Sequence, residues 1–299
     1  MNYTELGLDL QGLVKRIYAS LLYNSTFYNF LNEDYIGEVR QTGTPMIEIL
    51  KQNPVALNTR QTKEITTALT PALTTYDSVK VDLAELPMDY SFRIPVLVLG
   101  SGVQNAIAEA IRQKDSAMSA QIDMYGYGVL ESAITGDRTG SNTALQTGSL
   151  FTWGENVIDN ITSMKATLFN NFIYDSYRLG LKATVYADLV AQLTSVLKFE
   201  TLAGVEGVDR GVVAKAYGVD IFPINDIMFK SAPNTLGYFA NPVGIVGDAF
   251  FDSMVQYNGN YPGFPGYFVV EGNILFGAKV VRPEAVIKIV NSTTTTTTE

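Results

Sequence analysis

Apolar residues return every third or fourth position near the start of the chain, at Leu6, Leu10, Leu13, Ile17 and Leu21, with Asp9, Lys15 and Arg16 elsewhere on the wheel. That spacing predicts an amphipathic helix packed on another element. A longer stripe follows at Val103, Ile107, Ile111, Met118, Ile122, Tyr125 and Val129, while Glu109, Arg112, Lys114, Asp115 and Glu131 fall on other faces. Ser101, within Gly100-Ser101-Gly102, suits its N-cap and Gly136-Asp137 its stop. One helix is therefore predicted over 102–134, about 45 Å long at the standard rise, with Ile107, Ile111, Met118 and Ile122 buried. After a polar, Gly- and Thr-rich connector at 135–148, Val157, Ile161, Met164, Leu168 and Phe172 mark another helix, preceded by Trp153.

Between the first two helices the pattern changes. Gly43-Thr44-Pro45, Asn53-Pro54, Thr70-Pro71 and Leu86-Pro87 punctuate a Thr-rich stretch in which Ser78-Val79-Lys80-Val81-Asp82-Leu83 alternates with the period of a strand. Its apolar content is too thin to bury itself, so an extended β arm is expected over 43–92, lying on its own body or on a neighbouring subunit. Past Gly180 the pattern is mixed. A strand is predicted over 182–186, feeding a helix over 187–197 through Leu189, Leu193 and Val196. A hairpin over 211–223 should turn near Gly218, and 238–251 should pass from strand to short helix. A Pro/Gly/aromatic loop is expected at 259–266, then strands at 277–281 and 285–290 on either side of Arg282-Pro283-Glu284. No internal repeat has a solenoid or propeller period.

Composition supports a folded chain: 46% of residues are hydrophobic and 17% charged, far from the signature of disorder. Tyr and Phe number 17 and 15 against one Trp, and with 25 Gly they favour sheet and turn. No apolar stretch is long enough for a membrane-spanning helix, and no basic region precedes an apolar one at the N-terminus. The sequons at Asn2, Asn24, Asn160 and Asn291 arise easily by chance in a Thr-rich chain.

The absence of both His and Cys from 299 residues changes the picture most. It excludes Ser-His-Asp and Cys-His catalysis, the usual zinc sites and iron–sulfur ligation, leaving carboxylate, lysine or oxygen-ligand chemistry. A net charge of -9 argues against a sequence-reading nucleic-acid binder, though not against a surface that encloses nucleic acid. Gly100-Ser101-Gly102 fails as a dinucleotide fingerprint because Asn105 stands where the third glycine belongs. Glu33-Asp34 and Asp82 with Glu85 are carboxylate pairs of the type a glycosidase uses, but solvated loop charge explains them more simply. Asp220, Asn225 and Asp226 lack the spacing of a calcium loop. Trp153, Tyr125, Tyr127, Tyr257 and Tyr261 suit packing or an interface better than a ligand cage. No catalytic, cofactor-binding or metal residue is assigned.

The order of the elements is more specific than any one motif. The β excursion ends in Val79-Lys80-Val81-Asp82-Leu83-Ala84-Glu85-Leu86-Pro87 and Phe92-Arg93-Ile94-Pro95, and a long helix follows. Then come the strand-to-helix step Ala183-Thr184-Val185-Tyr186-Ala187-Asp188-Leu189 and the hairpin from Arg210-Gly211-Val212-Val213 to Gly218-Val219. The chain closes with Gly277-Ala278-Lys279-Val280 and Pro283-Glu284-Ala285-Val286. Over nearly its whole length this resembles the major capsid proteins of tailed phages, the fold first named for the Hong Kong phage.

The resemblance implies an α+β capsid fold with an N-terminal arm (1–42), an extended β loop (43–95) and a peripheral domain with a spine helix (96–176). An axial α/β domain (177–267) and a return to the peripheral domain with a C-terminal tail (268–299) complete it. In that family the loop reaches a neighbouring subunit and the axial domains gather at the centre of each pentamer or hexamer. The implied function is a non-enzymatic subunit that self-assembles into an icosahedral shell around double-stranded DNA. It would be assembled in the host cytoplasm, become part of the virion, and have scaffolding, portal and decoration proteins as further partners. The short N-terminal stretch leaves no room for a large fused scaffold, so a separate scaffold or a processed chain is expected. Lys51, Lys63 and Lys80 lie in the proposed loop, but nothing identifies an asparagine partner for a cross-link. A nanocompartment shell enclosing a cargo enzyme is the alternative with the same fold, and a carboxylate-based enzyme such as a glycosidase a more distant one. The strand at 285–290 is expected to return to the peripheral domain, and 291–299 to carry no function.

Overall fold

The computed structural model describes residues 10–35, 45–52, 76–95, 103–134, 149–174, 176–196 and 214–291. A six-stranded mixed sheet contains β4 (Ser149–Thr152), β5 (Tyr177–Lys182), β6 (Ala214–Ala216), β7 (Val219–Ile224), β8 (Thr235–Ala240) and β11 (Val286–Val290), in the order β4-β11-β8-β5-β7-β6. A three-stranded antiparallel sheet, β3-β10-β9, is built from β3 (Leu86–Pro95), β9 (Ile245–Tyr261) and β10 (Phe264–Val280). The strands β1 (Met46–Gln52) and β2 (Tyr76–Asp82) form a separate antiparallel ribbon. The helices are α1 (Leu10–Asn24), α2 (Val103–Ala133), α3 (Val157–Asn170) and α4 (Ala183–Val196).

Period-2 alternation explains why the six-stranded sheet is covered on both faces. Tyr177, Leu179 and Leu181 of β5, Val219 and Ile221 of β7, Phe239 of β8, and Ile287 and Ile289 of β11 form one buried cluster with Val157, Ile161, Met164 and Leu168 of α3 and Leu189 of α4. The intervening residues Phe222, Ile224, Tyr238, Ala240 and Val286 point the other way, into the cluster that holds Met118, Ile122, Tyr127 and Leu130 of α2. The predicted hairpin near Gly218 is β6–β7, which pairs Ala216 with Val219 across a two-residue turn.

Several expectations need correction. The strand before α4 is Tyr177–Lys182, not 182–186, because the Asp226 carboxylate accepts the Ala183 N–H at 2.8 Å and starts the helix there. The stretch 238–251, expected to pass from strand to short helix, runs from β8 through a single 3-10 turn at Pro242–Gly244 straight into the 17-residue strand β9, held by its pairing with β10. The expected loop at 259–266 shrinks to the turn Pro262-Gly263 between paired Tyr261 and Phe264. The strand expected at 285–290 is β11, which lies between β4 and β8 in the six-stranded sheet and turns Val286 and Lys288 towards α2. Burial on both faces suits it to that interior place. α3 likewise packs on this sheet, and Phe172 falls beyond the end of the helix. Residues 86–95, expected in the extended loop, form an edge of the three-stranded sheet with Met88, Tyr90, Phe92 and Ile94 buried.

The long helix runs over Val103–Ala133 as predicted, but its buried stripe is rotated from the one expected. Met118 and Ile122 are buried, Ile111 is only half-buried, and the side chain of Ile107 lies outside the described residues, as do 100–102 and 135–148. Asp115 and Asp123 share the buried face, where burial raises both carboxyls above their ordinary range. Asp123 takes hydrogen bonds from the Ser25 hydroxyl (2.5 Å), the Thr26 N–H (3.1 Å) and hydroxyl (2.9 Å), and the Phe27 N–H (2.9 Å). Asp115 accepts from Ser20 and, at 3.3 Å, from the Tyr90 hydroxyl. The first described segment is thus strapped to α2 by buried carboxylates. It crosses to both sheets: Arg178 pairs with Glu33 at 2.7 Å, Phe30 meets Phe222 at 5.0 Å, and the Asn32 N–H donates to the Ile245 carbonyl at 2.9 Å. Gly126 permits this crossing, since a Cβ there would lie 2.3 Å from the Phe27 ring.

Candidate assembly surface

The ribbon β1–β2 has continuous register from Met46↔Asp82 to Gln52↔Tyr76. At its root Ile47, Ile49, Val81 and Leu83 bury themselves against Val246, with Tyr35, Phe250 and Val281 around them. The Leu83 N–H closes the root on the Pro45 carbonyl at 2.9 Å, and Asp82 caps the following turn by accepting the Ala84 N–H at 2.8 Å. Outward from the root Glu48, Ser78 and Lys80 are exposed, and Ser78 donates to Glu48. Seven residues per strand span roughly 24 Å. A two-stranded ribbon of that length is marginal alone in water, so its anchorage is the root and whatever lies beyond. The distal part expected in the loop, 53–75, lies outside the described residues, and with it Lys63.

Gly277 permits the close approach of this ribbon's root to β10. A Cβ at that position would stand 2.0 Å from the Asp82 carbonyl oxygen and 2.6 Å from the Leu83 Cα, so the loop root crosses β10 with backbone on backbone. Gly277→Val is expected to push the root off β10 and lower stability by about 2–3 kcal/mol. Urea unfolding checks this, and a midpoint equal to the parent's would contradict the crossing.

A second feature is the end of the β9–β10 hairpin. Arg93 lies over the rings of Phe264 (4.3 Å) and Tyr267 (5.9 Å), Tyr257 meets Tyr261 at 5.1 Å, and the Tyr261 hydroxyl donates to Glu271. These tyrosines pack at the outer end of a hairpin. Tyr127 instead is buried against Tyr238 at 5.9 Å, and Tyr125 packs on Phe276 at the same separation.

The candidate chemical groups are placed apart and employed in the fold. Glu33 pairs with Arg178, Asp82 caps a turn, and Glu85 accepts from the Tyr125 hydroxyl. Asn225 and Asp226 cap a turn and α4 respectively, and Trp153 packs on the α3 side of the six-stranded sheet. Among the described residues no group of three or more acidic side chains is set to hold a metal ion, and no helix is long and apolar enough to cross a membrane. The shifted pKa values have packing causes: burial, then Glu131, raises Tyr238, and burial, then Asp115, raises Tyr90.

Sequence reasoning missed the residue that ties the long helix to the six-stranded sheet. Glu131, placed off the apolar stripe on another face, accepts from the Tyr238 hydroxyl at 2.8 Å and pairs with Lys288 of β11. The signal was present in part: Lys288 alternates with Ile287 and Ile289 on a strand buried on both sides, which requires an acidic partner.

No family model and no curated protein matches the sequence. Among solved structures, the chain is similar to the capsid structure of the cyanophage P-SCSP1u, with a TM-score of 0.59 and 14% identity over 83% of this chain and 84% of that one. It is similar to the asymmetric unit of the bacteriophage PhiM1 mature capsid, with a TM-score of 0.55 and 12% identity over 91% and 88% of the two chains. A chain from Mycobacterium phage Che8 matches at a TM-score of 0.53 and 15% identity over 89% and 90%. At such identities the likeness is one of fold, and the fold is the α+β phage capsid fold that the order of elements implied.

Proposed function

We propose that this chain is the major capsid protein of a tailed phage, a virion component whose copies form pentamers and hexamers of an icosahedral shell around double-stranded DNA. The observation that carries this is the capsid fold, matched over 83% and 91% of the chain in two phage capsid structures. In this proposal 10–35 is the arm, 45–82 the extended loop, α2 with the three-stranded sheet the peripheral domain, and the six-stranded sheet with α3 and α4 the axial domain. The net charge of -9 suits a wall that encloses DNA without adhering to it. Assembly in the host cytoplasm, with scaffolding and portal proteins as further partners, belongs to the same proposal.

Excising 46–82 tests it, because Pro45 and Leu83 are already joined by a 2.9 Å hydrogen bond and a short Gly-Ser link bridges them. The shortened chain is expected to melt cooperatively with both sheets intact and to form no particles in sedimentation. Particles of normal size from it would remove the loop from assembly. For the full chain, a high ratio of absorbance at 260 to 280 nm in particles purified from the host marks enclosed nucleic acid and separates a capsid from a nanocompartment.

A further inference from the structure

α3 ends in a doubly hydrogen-bonded turn: the Ile173 N–H donates to the Leu168 carbonyl and the Phe172 N–H to the Phe169 carbonyl, each at 3.0 Å. In this Schellman arrangement the residue after the cap takes a left-handed backbone, and glycine is its usual occupant. Here it is Phe172, with φ of 59°, a conformation in which a bulky side chain is strained. The ring gains little burial within the subunit, being 75% exposed, and Phe169 and Tyr174 are 58% and 51% exposed. Those two rings meet edge to face at 4.9 Å. The turn is held from behind: the Asn171 amide donates to the Glu284 carbonyl at 3.0 Å and the Asn241 amide to the Tyr174 carbonyl at 3.5 Å. A bulky residue held in a strained backbone conformation with its ring turned outward points to a compensating contact outside the subunit.

We propose that Phe169, Phe172 and Tyr174 form a contact between adjacent copies of this chain, an inference that rests on the shell function proposed above. The strain is built into every copy, so its partner must be present in equal number, and in a shell that partner is the next subunit. Charge favours the same occupant. Residues 169–174 contain no Asp, Glu, Lys or Arg in a chain of net charge -9, and like-charged copies meet with least repulsion through uncharged, apolar surface. Area fits a lattice. Three aromatic rings at about half exposure offer on the order of 300 Å², well short of the roughly 800 Å² per partner of a self-sufficient interface. The patch is therefore one of several simultaneous contacts and holds no dimer by itself.

The test compares Phe172→Gly and Phe172→Asn with the parent, in thermal melting of unassembled subunits and in the protein concentration at which particles form. Both variants keep the left-handed turn and remove the ring. Subunits that melt no lower than the parent are expected, together with a threshold concentration raised about tenfold or more. Assembly at the parent's threshold, or subunits that melt lower than the parent, overturns the inference while particles from the parent leave the shell function standing. A parent that forms no particles under any condition overturns both.

Discussion

Asp123→Ala is expected to destabilise the subunit by about 3 kcal/mol or more, among the largest effects of any single substitution in this chain. The carboxylate accepts from four donors of Ser25, Thr26 and Phe27, and it sits with only 6% of its surface exposed. Alanine leaves the buried Ser25 hydroxyl and Phe27 N–H without this acceptor, at roughly 1–3 kcal/mol each, while the half-buried Thr26 hydroxyl keeps its bond with Tyr127. The loss propagates, because the same segment seats Phe27 against Gly126, Phe30 against Phe222 and Glu33 against Arg178. Ser25→Ala removes one donor and leaves the others in place, so about 1 kcal/mol is expected from it. Urea unfolding of unassembled protein distinguishes the two. Equal, small losses would show that the segment is not held by this carboxylate.

Truncation is expected to be sharply asymmetric. Ending the chain after Asn291 keeps every described contact of β11, including the Asn291 N–H bond to the Asn234 carbonyl at 2.9 Å. Ending it after Pro283 deletes a strand flanked by β4 and β8 and removes Val286, Ile287 and Ile289, each at most 1% exposed. Those side chains together stabilise the fold by roughly 5–9 kcal/mol before any hydrogen bond is counted, which is the scale of a whole domain's stability. It also leaves Glu131 without Lys288. The shorter chain should be insoluble or lack a cooperative melt, and the longer one should match the parent. A cooperative melt from the shorter chain would mean that the six-stranded sheet closes without its second strand.

Local periodicity carried the helices and failed where long-range pairing decides. Ile161, Met164 and Leu168 announce α3 because one face of a helix must be apolar whatever it packs on. The strand that follows the turn at Pro242–Gly244 depends on β10, which places Ala278 opposite Gly247 and Phe276 opposite Ala249, partners about thirty positions away. The start of α4 depends on Asp226, 43 positions later, which no local window contains. The expected break between loop and body at 95 moved to the 83–85 turn because Tyr90 and Phe92 find α2 and β10, not a neighbour. For the candidate assembly surface, the Thr- and Pro-rich pattern raised the expectation of an extended loop but not the place of its root, where Asp82 and Leu83 cross a glycine of another strand. The strained Phe172 was read as the last core residue of a helix, because its 3.6-residue spacing is indistinguishable from that of a buried one.

Electron cryomicroscopy of the purified full chain, imaged without fixation across a range of concentrations, tests the central claim most directly. The account predicts closed icosahedral shells in which the ribbon of each copy, leaving its body over Gly277, lies on a neighbouring copy. Monodisperse single subunits at every concentration, or open assemblies in which the ribbon folds back on its own chain, would contradict it.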